Sequence, residues 1–187
     1  MSAFRALCAG LAATLVLVAA APAGAATPDW VKPAVRHLAD QGWLDRSEFR
    51  ANKPMARAAF KTLVKRAFGG GYGRSKGKVR AAEVSRALVR LLDQQAAVDR
   101  LMGAASPGGW SPARPAYLGY EVVAREMGLR HDRPTDEERF EASATDPMTQ
   151  ADVAWAVWRA ATSPSLSGAQ ALTKFGLADY DAPRRKV

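Results

Sequence analysis

Cysteine is almost absent from this sequence. The chain of 187 residues has one cysteine, Cys8, and two histidines. Cys8 lies in an N-terminal segment that we expect to be removed, so the mature chain has no thiol. This excludes a disulfide framework, a thiolate metal site and a cysteine nucleophile. His37 and His131 form no closely spaced pair, so we expect surface histidines, with no metal site, no cofactor and no catalytic residue.

Acidic residues are too few to balance the basic ones. The sequence has 18 Asp and Glu against 27 Lys and Arg, which gives a formal net charge of +9 and a pI near 10.1. Such a charge indicates an anionic partner: nucleic acid, acidic lipid or an anionic polymer. Apolar residues make up 48% of the chain, which excludes collagen-like and wholly disordered proteins.

Long apolar runs are also missing, since no stretch reaches the roughly 20 residues that a membrane helix needs. The apolar stretch over residues 11–21 follows Arg5 and precedes the small residues 23–25. This order predicts a secretory signal peptide over residues 1–25, cleaved after Ala25. We therefore expect an exported protein with no membrane span after removal of the signal.

The remaining sequence predicts an all-α chain, because apolar residues recur at helical spacing and never show sustained alternation. Glycines predict where several of the helices end. The first predicted helix is short and lies around Trp30 to Leu38, and the second begins at about Pro54. The third begins at about Ala81, and its pattern continues through Met102. A fourth runs from about Pro115 to Met127, a fifth begins at Pro147, and a weaker sixth covers about Gly168 to Phe175.

Glycine and basic residues dominate residues 69–78, between the second and third predicted helices. The segment is not a phosphate-binding loop, because Val79 stands where Ser or Thr should follow Lys78 and no apolar strand leads into it. We interpret it as a flexible basic linker.

Two of the predicted helices open with similar residues, which indicates an internal repeat. The second opens with Pro54-Met55 and the fifth with Pro147-Met148, and each has an alanine three residues after the methionine. The segment from Val79 to Val84 fits the same frame. Repeats of this kind bury their apolar faces by packing on one another.

The repeated residues resemble the S-layer homology module. That module has a first helix with Trp-Ala that ends at Gly, a Phe-x-Pro-Asn loop, and a second helix that opens Val-Thr-Arg-Ala-Glu-Phe. The matching text here is Trp30, Gly42, the loop from Phe49 to Pro54, and Met55-Ala56-Arg57-Ala58-Ala59-Phe60. The first copy is the specific match, and the middle copy is incomplete.

This resemblance implies a pseudo-threefold bundle of helix-loop-helix repeats that binds secondary cell-wall polysaccharide, or another peptidoglycan-linked anionic polymer, in grooves between repeats. The chain would then be an exported, non-catalytic wall-anchoring module. It divides into a signal peptide over 1–25, a first repeat over 27–69, a degenerate middle repeat with the basic linker over 70–105, a third repeat over 110–162, and a C-terminal helix and tail over 163–187.

Arg57 occupies the arginine place of the family motif, so at most one of the three grooves is expected to keep full binding chemistry. A guanidinium donates two parallel hydrogen bonds to a carboxylate or a phosphate, and helix N-termini offer N–H groups to anions.

Glu83 and Asp152 fall in first helical turns, where we favour a capping role. The candidate carbohydrate-binding residues are Arg57, Trp30, Glu83, Thr149, Gln150 and Asp152. Trp30 and Trp158 also fit an apolar core, whereas Trp110 lies in a Gly- and Pro-rich loop.

Two other functions stay open. The segment 120–130, followed by Thr145-Asp146-Pro147, also resembles the N-terminal region of exported wall proteins that continue into a peptidoglycan cysteine peptidase. This allows a remnant or accessory part of a wall hydrolase. A DNA-binding helical protein would fit the charge, but export disfavours it. The acidic stretch 132–141 lacks the spacing of a calcium loop and favours a solvated loop.

Overall fold

Helices form all the regular structure in the part of the chain that the computed structural model describes, namely residues 26–70, 72–103, 115–131 and 142–163. A 3-10 turn over Asp29–Val31 leads into six α-helices, and no strand occurs in these ranges. The helices are α1 (Lys32–Asp40), α2 (Arg57–Phe68), α3 (Ala81–Leu91), α4 (Gln95–Gly103), α5 (Leu118–Glu126) and α6 (Gln150–Thr162). The all-α prediction is therefore confirmed.

Several sequence predictions lie outside the described residues. They are the signal peptide over 1–25, the loop with Trp110, the acidic stretch over 132–141, and the C-terminal segment with the predicted helix from Gly168 to Phe175.

Glycines end three stretches of helix, as the sequence predicts. Gly42, Gly69 and Gly128 follow α1, α2 and α5 with φ between +67° and +69°, a left-handed conformation that glycine adopts without a steric penalty. The long third helix is instead divided into α3 and α4. Asp93, with φ of +56°, turns the chain between them, and aspartate is one of the few residues that tolerate this conformation.

The predicted starts of the second, fourth and fifth helices are each wrong by three residues, and the fourth, α5, begins at Leu118 rather than at about Pro115. The prolines at 54 and 147 begin extended segments, and α2 and α6 start only at Arg57 and Gln150. The reason is tertiary, because these extended residues hydrogen-bond to one another. Local sequence alone favours helix there, since proline suits a first helical turn.

Three backbone hydrogen bonds join the segments that precede α2, α3 and α6. The Met55 N–H donates to the Met148 carbonyl, Met148 donates to Val79, and Val79 donates to Met55, at 2.9–3.0 Å. All three side chains are at least 95% buried. The three helix starts therefore meet around one buried apolar centre.

The helices pack in pairs around this centre. α1 packs against α6, α3 packs against α5, and α4 also packs against α5, while α6 additionally contacts α2 and α3. Phe60, Leu38 and Leu88 are the largest fully buried apolar side chains. Among the described residues, no helix is both long enough and apolar enough to cross a membrane.

Candidate functional site

A groove of about 640 Å³ runs beside the start of α2 and along one face of α3. Its described lining is strongly basic, with five arginines and one carboxylate, that of Glu83. Two tyrosines, Tyr72 and Tyr117, add aromatic surface. The arginines are Arg57, Arg74, Arg80, Arg86 and Arg90. We call this the arginine groove.

Arg57 and Glu83, two of the residues that the sequence singles out, meet at one end of this groove. The Arg57 Nε donates to Glu83 Oε2 at 3.0 Å, and Nη2 donates to both carboxylate oxygens at 2.9 Å. The Arg57 Nη1 donates to the Lys76 carbonyl at 2.7 Å. The two side chains are 19% and 17% exposed. The guanidinium is thus fixed in one orientation at the lining of the groove.

Glu83 also caps its own helix. Its Oε2 accepts a hydrogen bond from the Arg80 backbone N–H at 2.9 Å. Burial raises the pKa of Glu83, but the Arg80 N–H and the Arg57 guanidinium outweigh burial and hold the pKa below its ordinary value of 4.5. Burial, and next the negative charge of Glu83, raise the pKa of Tyr72, so this phenol stays neutral at physiological pH.

The lowered pKa of Glu83 predicts a pH-dependent contribution to stability. Because the folded pKa is below the unfolded value, ionised Glu83 stabilises the fold above about pH 4.5 and loses this effect as the pH falls through the folded pKa. We expect Glu83→Gln to lower the unfolding free energy at pH 7 and the difference from wild type to shrink toward pH 3. Urea unfolding between pH 3 and pH 7 measures it, with the exposed Glu48→Gln as control. A difference that is constant with pH contradicts the ion pair.

The other arginines of the groove have few anionic partners. Arg74 approaches Glu83 at 3.3 Å and is 75% exposed. Arg86 and Arg90 lie over the ring of Tyr120, with guanidinium carbons 5.1 and 5.5 Å from its centre. Five guanidiniums thus share one carboxylate among the lining residues that are described, which leaves the groove strongly positive.

Thr149, Gln150 and Asp152 lie together at the start of α6. The Thr149 Oγ1 accepts from the Asp152 N–H at 3.1 Å and bonds to the Asp152 carboxylate at 2.6 Å, which forms a capping box. The Gln150 Oε1 accepts from the Arg50 N–H at 2.9 Å, and Gln150 borders a second groove of about 310 Å³. These three residues are not among the described lining of the arginine groove.

Trp30 belongs to an aromatic cluster rather than to the lining of either groove. Its ring stacks on His131 with centres 4.0 Å apart and meets Trp155 edge-on at 5.9 Å. Trp158 extends the cluster from Trp155 at 5.2 Å. All four rings are half-buried, so His131 is not the surface histidine that the sequence predicts. Its distant partners, Trp30 and Trp155, come together only through the packing of the helices.

The first backbone N–H group of each of α2, α3 and α6 already has a hydrogen-bond partner within the protein. The Arg57 N–H donates to Gly77, the Ala81 N–H to Asp146, and the Gln150 N–H to Lys53. In each case the first residue of a helix donates to the segment before another of the three helices. The arginine side chains, rather than these N–H groups, are available to an anion.

Four arginines of the groove were not predicted from the sequence as site residues: Arg74, Arg80, Arg86 and Arg90. Three of them belong to α3 or its cap: Arg80 is the extended N-cap residue, and Arg86 and Arg90, four residues apart, share one helix face. This spacing was a usable signal. No sequence pattern points to Arg74, because this residue lies in the segment that we expected to be a flexible linker. That segment is held in place, as Lys78 pairs with Ala56 and the Tyr72 ring meets Phe60 edge-on at 5.1 Å.

No group of three or more histidine, cysteine or acidic side chains that could hold a metal ion occurs among the described residues. Comparisons of the chain with protein-family models, with curated proteins and with solved structures find no match.

Proposed function

We propose that this protein is an exported, non-catalytic module that binds an anionic polysaccharide of the bacterial cell wall and so anchors protein to the envelope. The ligand would be secondary cell-wall polysaccharide or another anionic polymer linked to peptidoglycan. The observation that carries the proposal is the arginine groove, in which five guanidiniums face one carboxylate among the described residues.

The chemistry of the groove fits an acidic glycan. Guanidinium groups bind carboxylate and phosphate through paired hydrogen bonds, and aromatic rings offer amphipathic faces to sugars. Tyr72 and Tyr117 supply such faces within the groove. A volume of about 640 Å³ lies in the range typical of ligand sites.

The hydrogen bonds between helix starts support the repeat interpretation of the sequence. A cycle in which Met55, Val79 and Met148 each donate to the next is the pattern expected where three related segments surround one axis. The first N–H groups of α2, α3 and α6 form a second cycle, which runs in the opposite order: Arg57 donates to Gly77, Ala81 to Asp146, and Gln150 to Lys53. We infer a pseudo-threefold bundle of helix-loop-helix repeats.

The binding chemistry would then be concentrated in one of the three grooves. Arg57 is the first residue of α2, and Ala81 and Gln150 take the same place in α3 and α6. Only the first of these side chains is positively charged, so only it can form an ion pair with a carboxylate such as Glu83 and attract an anionic ligand. The proposed site is therefore the arginine groove alone.

Retention on purified bacterial wall sacculi tests the proposal. We expect the protein to sediment with intact sacculi and to stay in solution when the anionic polymers have first been stripped chemically. Release by added salt should accompany binding, because salt screens exposed charges. Equal sedimentation with intact and stripped sacculi would refute the polysaccharide part, and absence of sedimentation with both would refute wall binding. Release of soluble fragments from peptidoglycan would contradict the non-catalytic part.

A further inference from the structure

Arg86 and Arg90 form a second cluster within the arginine groove, about one and two helical turns after Glu83 on α3. They lie one turn apart on α3, both side chains are exposed, and both contact the ring of Tyr120. None of the ion pairs found among the described residues includes either arginine. Like charges one helical turn apart repel each other, and an anion bound between the two arginines would relieve this repulsion.

Tyr120 holds this pair in place from below. The tyrosine is 6% exposed, and its hydroxyl accepts a hydrogen bond from the Arg90 Nε at 3.2 Å. The same hydroxyl donates to the Gln95 Oε1 at 2.9 Å, which fixes its orientation. Guanidinium groups that lie over a ring keep their N–H edges free at the periphery. Two oriented N–H edges therefore border the same stretch of the groove.

We propose that Arg86 and Arg90, positioned by Tyr120, form a subsite for the phosphate group of a phosphorylated sugar. A phosphate monoester has three strong acceptor oxygens and a charge of about −1.5 to −2 at neutral pH. One guanidinium can donate hydrogen bonds to two of these oxygens, and the third oxygen can then accept a hydrogen bond from the second arginine. A carboxylate has two oxygens and a single charge, so it matches one guanidinium better than two.

This inference rests on the proposed function, because it names the anionic group that one end of the groove recognises. It also makes a separate statement about ligand chemistry. Glu83 pairs with Arg57 and Arg74, whereas no carboxylate among the described residues pairs with Arg86 or Arg90.

Titration with small probes, followed by NMR of the full protein, tests the subsite. The probes are glucose 6-phosphate and glucuronate, which differ mainly in their anionic group, together with inorganic phosphate and adenosine 5′-monophosphate. We expect glucose 6-phosphate to bind about tenfold more tightly than glucuronate. Arg86→Lys and Arg90→Lys keep the charge but remove the fork, and each should weaken glucose 6-phosphate about tenfold while changing glucuronate less than about twofold. Arg36→Lys, at an exposed position of α1, is the matched control.

Several results would overturn the proposal. The phosphate subsite is contradicted if glucose 6-phosphate and glucuronate bind equally tightly. It is also contradicted if the Arg86→Lys and Arg90→Lys variants bind glucose 6-phosphate like wild type. If inorganic phosphate binds as tightly as glucose 6-phosphate, the subsite does not recognise the sugar. If adenosine 5′-monophosphate binds more tightly than glucose 6-phosphate, the ligand is a nucleotide and not a phosphorylated sugar. The proposed function fails separately: a protein that binds glucose 6-phosphate through Arg86 and Arg90 but does not sediment with intact sacculi keeps the subsite and loses wall binding.

Discussion

Arg130→Met is expected to lower the free energy of unfolding by about 3–5 kcal/mol, because it leaves a buried carboxylate without its partner. Arg130 and Glu121 form an ion pair with an Nη1–Oε2 distance of 2.6 Å, and their side chains are only 7% and 10% exposed. The Arg130 Nη2 also donates to the Ala142 carbonyl, in the segment that leads to α6. Loss of this side chain removes both contacts at once. Urea unfolding at pH 7, followed by circular dichroism, measures the change.

The double variant Glu121→Leu/Arg130→Met separates the lost charge pair from lost packing. Removing both charges should recover most of the stability, since buried ion pairs are often replaced by apolar residues at little cost. The Glu121 Oε1 favours this outcome, because it is buried and has no hydrogen-bond partner among the described residues. The control Arg36→Met, on the exposed face of α1, should change stability by less than about 0.5 kcal/mol. A double variant as unstable as the single one would show that the uncompensated charge is not the cause.

This ion pair could not be predicted from the sequence. Glu121 and Arg130 stand nine residues apart, and a helix places only residues three or four apart side by side. They meet because the chain turns back after α5 at Gly128. The sequence does predict Gly128 as a helix end, but the length and direction of the following segment depend on packing.

The fold was predictable where periodicity and glycine acted together. Five of the predicted helical regions contain helices, and the helix ends at Gly42, Gly69 and Gly128 are correct. The errors lie where tertiary contacts override local preference. Residues 54–56 and 147–149 stay extended because they pair with each other and with the segment before α3.

The candidate site was predictable in part. The resemblance of the sequence to a known repeat motif pointed to Arg57 and Glu83, and the structure joins them by hydrogen bonds of 2.9–3.0 Å. Capping explains Asp152, as expected from its place in the first turn of α6. The surroundings of Trp30 were harder to predict, because its neighbours His131 and Trp155 are more than 100 residues away in sequence.

Arg74→Gln/Arg80→Gln is expected to reduce affinity for intact wall sacculi about 100-fold at physiological ionic strength of about 0.15 M. Each lost charge-assisted contact should contribute roughly a factor of ten, and a tenfold change corresponds to about 1.4 kcal/mol. Both arginines line the groove and are exposed, so their loss should leave the fold intact. Sedimentation at increasing sacculus concentration measures the affinity, and circular dichroism monitors folding.

The control for this variant must remove the same charge elsewhere. Lys61 and Lys65 are exposed on α2 and are not among the described lining of the arginine groove, so Lys61→Gln/Lys65→Gln changes the net charge equally. If the groove is the site, this control should lose less than about threefold in affinity at about 0.15 M salt, since exposed charges more than about 8 Å from the ligand are then largely screened. If instead the diffuse positive charge of the whole chain attracts the wall, both double variants should lose affinity alike, and the groove would have no special part in binding.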